Sequence, residues 1–280
     1  MNYIKTGVLL IALTVLFVWV GGLIGGTRGA QYAFVMAFAM NIISFWFSDK
    51  IVLAMYGAKP AAEDKYPQLF SIVRNVAKEA AIPMPKVYLI PQEAANAFAT
   101  GRGPKHAAVC VTEGIMGLLS HEELKGVIAH EMGHIKNRDI LIMTITATIA
   151  GAIMMISNMA RWGMMFGGRS RDDRNGGNPI ALLAAVIIAP LAAMLIQLAI
   201  SRSREYAADK RGAVLAHSSM GLAHALKKLE ESSRSRKMRA SPQTAHMFIV
   251  NPLRGDALAS LFSTHPPVSE RIRRLETMVV

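Results

Sequence analysis

The sequence predicts a mainly α-helical membrane protein that also carries a small α+β domain, and three observations predict it. Hydrophobic residues make up 52% of the 280 positions and the mean hydropathy is +0.31, too apolar for an ordinary soluble chain. Four apolar runs are each long enough to cross the hydrocarbon core of a bilayer. Between the second and third runs, residues 61–138 alternate helical and strand patterns in the manner of a folded domain. The formal charge of +12 and the pI near 10.0 invite a nucleic-acid partner, but no basic run interleaves with aromatic residues and no nucleic-acid module is recognisable. Basic residues on the cytoplasmic side of a membrane account for the charge more simply, so the lipid bilayer is expected as a partner and nucleic acid is not.

Taken in order, residues 6–24 (TGVLLIALTVLFVWVGGLI) follow Lys5 as the start of a signal peptide would. The run is too long for a signal core and a second one follows almost at once, so it reads as a retained transmembrane helix. The second run, roughly 31–48, ends at Asp49 and Lys50. Runs at about 140–160 and 180–200 complete the set of about four transmembrane helices, with Pro190 a kink that membrane helices tolerate. The chain thus divides into an N-terminal transmembrane hairpin (1–50), a first part of the folded domain (51–139), a second hydrophobic helix pair (140–200) and a second part of the domain (201–280).

Inside the domain, PQLFSIVRNVAKEAA (67–81) has helical apolar spacing, KVYLI (86–90) and HAAVCVTEG (106–114) read as short strands, and NAFATGRG (96–103) is a turn-rich connection. Ser120 and Glu123 form an S-x-x-E capping box that opens the helix HEELKGVIAHEMGHIKNRD (121–139). The single cysteine, Cys110, cannot form an internal disulfide, which suits the cytosol, and its place in AAVCV makes it a packing residue. Residues 161–179 and 231–243 are rich in charge, glycine or serine without apolar period and read as flexible stretches.

If all four runs span, segments 49–139 and 201–280 share one side, and Arg202, Arg204, Lys210 and Arg211 favour the cytoplasm for it. Arg161, Arg169, Arg171 and Arg174 in the loop between runs three and four oppose this. Either the positive-inside rule is weakly broken or these two runs form a hairpin that does not fully cross.

The chemistry lies in HEMGH, residues 130–134. Positions four apart on a helix share a face, so His130 and His134 present imidazoles at a separation one zinc ion can bridge. Glu131 lies on the adjoining edge, placed to take a proton from water that zinc has made more acidic as that water attacks a carbonyl. A catalytic zinc needs a third protein ligand. In SRSREYAADKRGA (201–213) Glu205 fills that role, and Asp209, one turn on, can fix a ligating histidine's tautomer. Taken alone, Glu205 and Asp209 read equally as an exposed acidic pair balanced by Arg204 and Lys210. The remaining histidines, His106, His121, His217, His224 and His246, have no motif partner and read as surface or packing residues.

HEMGH, EYAAD, NAFATG and the C-terminal THPPVSERI (264–272) occur in the order seen in the HtpX-type integral-membrane zinc metalloproteases, relatives of the CAAX prenyl endopeptidases, and the chain resembles that family over essentially its whole length. The resemblance implies a zincin-like cytoplasmic α+β domain with one Zn2+ per chain on His130, His134 and Glu205, and Glu131 as general base. It further implies that Asn96 lines the cleft for an extended substrate, and that His265 and Arg271 stabilise the oxyanion. On the residues alone, His265 is a loop histidine and Arg271 a solvated helix charge. The activity implied is hydrolysis of peptide bonds in misfolded or damaged membrane proteins, at the cytoplasmic face of a bacterial inner membrane and under stress control.

Two other function classes are weaker. A four-helix transporter or channel subunit with a structural zinc would want ionisable residues within the runs, which hold few, Asn41, Asn158 and Gln197 being polar but uncharged, and four metal ligands, often cysteines. A catalytically idle scaffold would have no use for Glu131 beside two histidines.

Overall fold

A computed structural model describes residues 2–150, 202–235, 238, 240, 244–252 and 266–280. The first helix, α1 (Asn2–Met55), begins in a run of leucine, valine and isoleucine with nothing to stop it until Gly25 and Gly26. Gly26 sits at φ 59°, ψ −147°, a conformation essentially reserved for glycine, and there the chain reverses. The two halves pack side by side: Asn41 donates to Thr14 Oγ1 at 2.9 Å, and Gly21 and Gly29 touch with no room for a Cβ. Each half is long and apolar enough to cross a membrane, and residues such as Ile11, Trp19, Phe38 and Trp46 face outward, an arrangement suited to lipid.

Four strands make a mixed sheet in the order β1 (Lys59–Pro60), β2 (Lys86–Ile90), β4 (Ala107–Thr112), β3 (Ala97–Gly101). β2 and β4 are parallel, with Lys86 opposite Ala108, whereas β3 runs antiparallel to β4, with Ala97 opposite Val111. AFATG (97–101) is therefore a strand, within the stretch 96–103 whose composition predicts a turn-rich connection. Gly101 (φ 132°) and Gly103 (φ 155°) supply the reversal, and the strand itself is wholly buried. Alternation assigns its two faces. Val87, Leu89, Ala97, Ala99, Val109 and Val111 join the core formed with α2 (Pro67–Glu79) and α4 (His121–Asn137). Ile90, Phe98 and Cys110 point the other way, onto Val52, Leu53 and Tyr56 at the end of α1. With both faces covered, the strands read as unbroken apolar runs.

Thr112 caps the short α3 (Glu113–Leu118), and α4 opens on the expected capping box, with Ser120 N donating to Glu123 Oε2 at 2.8 Å. Arg138 in the left-handed conformation ends α4, and Asp139 starts α5 (Asp139–Ala150), the described part of the third apolar run. α5 packs Leu141, Ile142, Ile145 and Ile149 against Leu9 and Leu13 of α1. The rest of that run and the fourth run lie outside the described residues. α6 (Arg202–Ala216) and α7 (Met220–Ser235) pack on α4, and α8 (Val268–Glu276) packs on α6 and α7. Residues 231–235 are the last turn of α7 and not part of a flexible stretch, because the buried Leu226 and Leu229 hold the helix to the core up to its end.

Candidate active site

α4 and α6 cross where neither has a side chain in the way. A Cβ on Gly133 would lie 3.2 Å from the Ala208 carbonyl, and one on Gly212 would lie 2.8 Å from the His130 amide nitrogen. That close approach carries Glu205 to the HEMGH face. His130 Nε2 and His134 Nε2 are 3.2 Å apart, with Glu205 Oε1 3.4 Å from His134 and Oε2 3.9 Å from His130. One ligand atom from each of the three lies within 4.8 Å of the others, and all three side chains are buried. The alternative of an exposed acidic pair fails for Glu205 and Asp209, which are 4% and 3% exposed.

The outer nitrogens of the histidines are held by two carboxylates. His130 Nδ1 lies 2.9 Å from Asp209 Oδ1, and His134 Nδ1 lies 3.2 Å from Asp139 Oδ2. Each carboxylate has an arginine behind it. Arg271 donates Nε and Nη2 to Asp209 at 2.8 and 2.7 Å, and Arg204 Nε is 4.0 Å from Asp139. With Nδ1–H committed to a carboxylate, each imidazole in its neutral form turns the Nε2 lone pair to the shared space.

The electrostatics are those of a cavity built for positive charge. Burial works against an imidazolium at His134, yet Glu205, Asp139 and Glu131 together outweigh it and push the ring up to about 9. His130 falls to about 4, through burial first and then the neighbouring Arg271 and His134, against the pull of Asp209. Glu131 is raised to about 7 by burial, with Glu205 adding to the effect while His134 and a hydrogen bond from the Ala99 amide oppose it. Asp209 is brought down to about 2, because Arg271 and His130 overcome the effect of its burial. Two neutral-capable imidazoles and a carboxylate in a dry pocket are a donor set that fits a divalent metal ion.

Of the other expected residues, Asn96 is buried, its side chain donating to the Val250 carbonyl, and Arg271 is fully buried, so Arg271 is not the solvated charge that its helix position alone suggests. Asp209 holds it there, since a buried guanidinium needs a carboxylate partner. His265 lies outside the described residues. Sequence reasoning missed Asp139, whose only signal is an acid five positions after His134, just past the helix end. It also missed that Ile249 and Val250 lie against Asn96, for which no local pattern exists.

A model of "Peptidase family M48" matches residues 63–279. Proteins named Protease HtpX homolog are similar over nearly the full length. The one from Syntrophobacter fumaroxidans is 56% identical over 277 residues, covering 98% of each chain. That from Thermodesulfovibrio yellowstonii is 59% identical over 278 residues, 99% of each chain, and that from Pyrococcus abyssi is 54% identical over 99% of this chain and 96% of its own. Among solved structures, S. mikatae Ste24p shares the fold at a TM-score of 0.54 and 20% identity, over 98% of this chain and 65% of that longer one. A family match over most of the chain and relatives more than half identical end to end place this chain in peptidase family M48, as a membrane-bound metalloprotease of the HtpX type.

Proposed function

We propose that the protein is a zinc-dependent endopeptidase of the bacterial inner membrane, multi-pass through about four helices, that hydrolyses peptide bonds of unfolded or damaged membrane proteins at its cytoplasmic face in response to stress. The observation that carries the reaction class is the buried convergence of His130, His134 and Glu205 with Glu131 on the adjoining edge. These three side chains would hold one zinc ion per chain, which when bound supplies a Lewis acid and makes water more acidic.

The chain's own groups do the rest. Asp209 and Asp139 fix the two histidines by their Nδ1 atoms. Glu131, poised near 7, accepts a proton from the attacking water and returns one to the leaving amide nitrogen. His265 and Arg271 donate to the carbonyl oxygen as negative charge develops there. The Arg271 assignment is supported by its Nη1, which already donates to a peptide carbonyl, that of Ile249, at 2.8 Å. Substrate class and membrane placement are supported by the apolar hairpin α1 and by α5, which follows the HEMGH helix in the chain and packs on α1.

The test is cleavage of a fluorescently labelled unfolded polypeptide by the detergent-purified, zinc-loaded protein beside its Glu131→Gln variant. Removal of a general base lowers turnover by about 10²- to 10⁴-fold. Equal cleavage by the two would remove Glu131 from the mechanism.

A further inference from the structure

The second half of hairpin α1 turns one stripe outward at the spacing of a helix face, made of Ile43, Trp46, Phe47 and Lys50. The stripe is apolar until it ends in a cation. Trp46 follows the reversal at Gly26 by about 20 residues, which at 1.5 Å per residue is about 30 Å, the thickness of the hydrocarbon core. With the reversal at one surface of the bilayer, Trp46 and Phe47 fall at the other, the level where aromatic side chains collect. Trp46 is 53% exposed and Phe47 46%.

At that level the sheet reaches the hairpin. The turn from β3 to β4 places the Arg102 guanidinium over the Trp46 ring, 4.5 Å from its centre, and Lys50 Nζ lies 5.5 Å from the centre of the Phe47 ring. Two cations from separate parts of the chain thus meet two neighbouring aromatic residues. Lys105, three positions on in the same turn, is exposed, and the acid next to Lys50 in the chain is the partly buried Asp49. Positive charge is in excess.

The turn holds Arg102 in place. Gly101 and Gly103 on either side of it have φ of 132° and 155°, a Cβ on Gly101 would run into the His106 carbonyl, and the His106 amide donates to the Gly103 carbonyl at 2.9 Å. The Gly101 amide donates to Thr144 Oγ1 of α5 at 3.3 Å, which ties the turn to the third apolar run as well. Yet among the described residues the guanidinium meets no carboxylate and no hydrogen-bond acceptor, only the Trp46 ring. Five N–H donors fixed at the end of a lipid-facing stripe call for an acceptor from outside the chain, and the acceptor at that depth of a bilayer is a phosphate.

We infer that Arg102, Lys50, Trp46 and Phe47 form a headgroup site for an anionic phospholipid of the leaflet that faces the sheet. The guanidinium takes the phosphodiester through paired N–H donors, Lys50 adds a second charge, and the two rings lie beside the first carbons of the acyl chains. The seat of the sheet on the membrane then depends on the anionic fraction of that leaflet. This rests on the membrane placement proposed above and is independent of the zinc chemistry.

Brominated lipids quench tryptophan fluorescence on contact, which allows a test on the full-length protein. It is reconstituted in vesicles of phosphatidylcholine and phosphatidylglycerol with one or the other brominated, and the quenching gives the relative affinity of the two lipids at a single tryptophan. The chain has 3 tryptophans. Trp19→Phe with Trp162→Phe leaves Trp46 as the probe, and Trp46→Phe with Trp162→Phe leaves Trp19. At Trp46 the expected preference for phosphatidylglycerol is at least about fivefold, the effect of one engaged cation. Arg102→Gln should lower it by about fivefold and Lys50→Gln by about twofold, whereas Arg28→Gln, close to the reversal at the far surface, should leave it unchanged. Absence of a preference in the parent, or a preference that survives both Arg102→Gln and Lys50→Gln, overturns the site. So does an equal loss in Arg28→Gln, which would reduce the effect to general attraction by a chain of charge +12. Quenching at Trp19 with none at Trp46 would mean that protein covers these rings, and it overturns the site while the membrane placement stands. If neither tryptophan is quenched by either lipid, the membrane placement fails and the site falls with it.

Discussion

Helix α4 and hairpin α1 treat water in opposite ways. α4 buries two histidines and a glutamate of HEMGH and gives each an ionic or hydrogen-bonding partner, down to the arginines behind Asp209 and Asp139. α1 turns Ile11, Trp19, Phe38 and Trp46 outward, and among the described residues it leaves Asn41 Oδ1 and Ser44 Oγ without a hydrogen-bond partner. The difference teaches that the chain is built for two solvents. The hairpin relies on lipid to make exposed apolar surface harmless, whereas the domain makes its own low-dielectric space and fills it with charge that must be matched group by group. Changes should therefore be costly around α4 and mild in α1.

Short of removing a metal ligand itself, the largest departure is expected at Asp139. Asp139→Ala frees the Nδ1 of His134 and should weaken zinc binding by about 10- to 100-fold in a competition with a chromophoric chelator, as loss of an orienting partner generally does. An unchanged affinity would make Asp139 a bystander. Next comes the crossing of α4 and α6. Gly212→Ala places a methyl group 2.8 Å from the His130 backbone, and the forced separation should cost about 1–3 kcal/mol of unfolding stability in denaturant titration, with metal retention falling alongside it. A variant as stable as the parent would show that the helices are not in close contact there.

Proton competition follows in size. His134 holds a proton up to about pH 9 in the metal-free site, and a metal can bind only after that proton leaves. Zinc affinity should thus rise by about tenfold per pH unit between pH 6.5 and 8.5 and level off above 9, as read by the same competition assay. A flat profile would mean that His134 is already neutral. The smallest effect is expected in the hairpin, where Asn41→Leu exchanges a half-satisfied amide for an apolar group. It should move thermal stability in detergent by less than about 1 kcal/mol, and a large loss would turn the comparison around.

What was legible in the sequence follows the same division. The HEMGH helix announced itself because capping and 3.6-residue periodicity are local properties, and Ser120, Glu123, His130 and His134 lie within fifteen positions. Glu205 was legible only as a partner to that motif, since the helix crossing that brings it in depends on Gly133 and Gly212, two residues with no side chain to advertise a contact. Strand β3 was hidden because Asn96, Gly101 and Gly103 look like a turn, while its strand character comes from pairing with β4 and cover on both faces. Arg271 was hidden for the opposite reason. A charge on an amphipathic C-terminal helix reads as solvated, and only tertiary structure brings Asp209 to it from α6, 62 positions away.

The central claim is that the buried His130, His134 and Glu205 form a metal centre whose chemistry is completed by Glu131. The equilibrium zinc affinity of the parent, Glu131→Gln and Glu205→Ala proteins tests it most directly. The account predicts that Glu131→Gln binds one zinc with the parent's affinity to within about threefold, whereas Glu205→Ala binds more than about 100-fold more weakly, beyond the loss of a merely orienting group. Parent-like affinity in Glu205→Ala, or a loss in Glu131→Gln as large as that in Glu205→Ala, would contradict it.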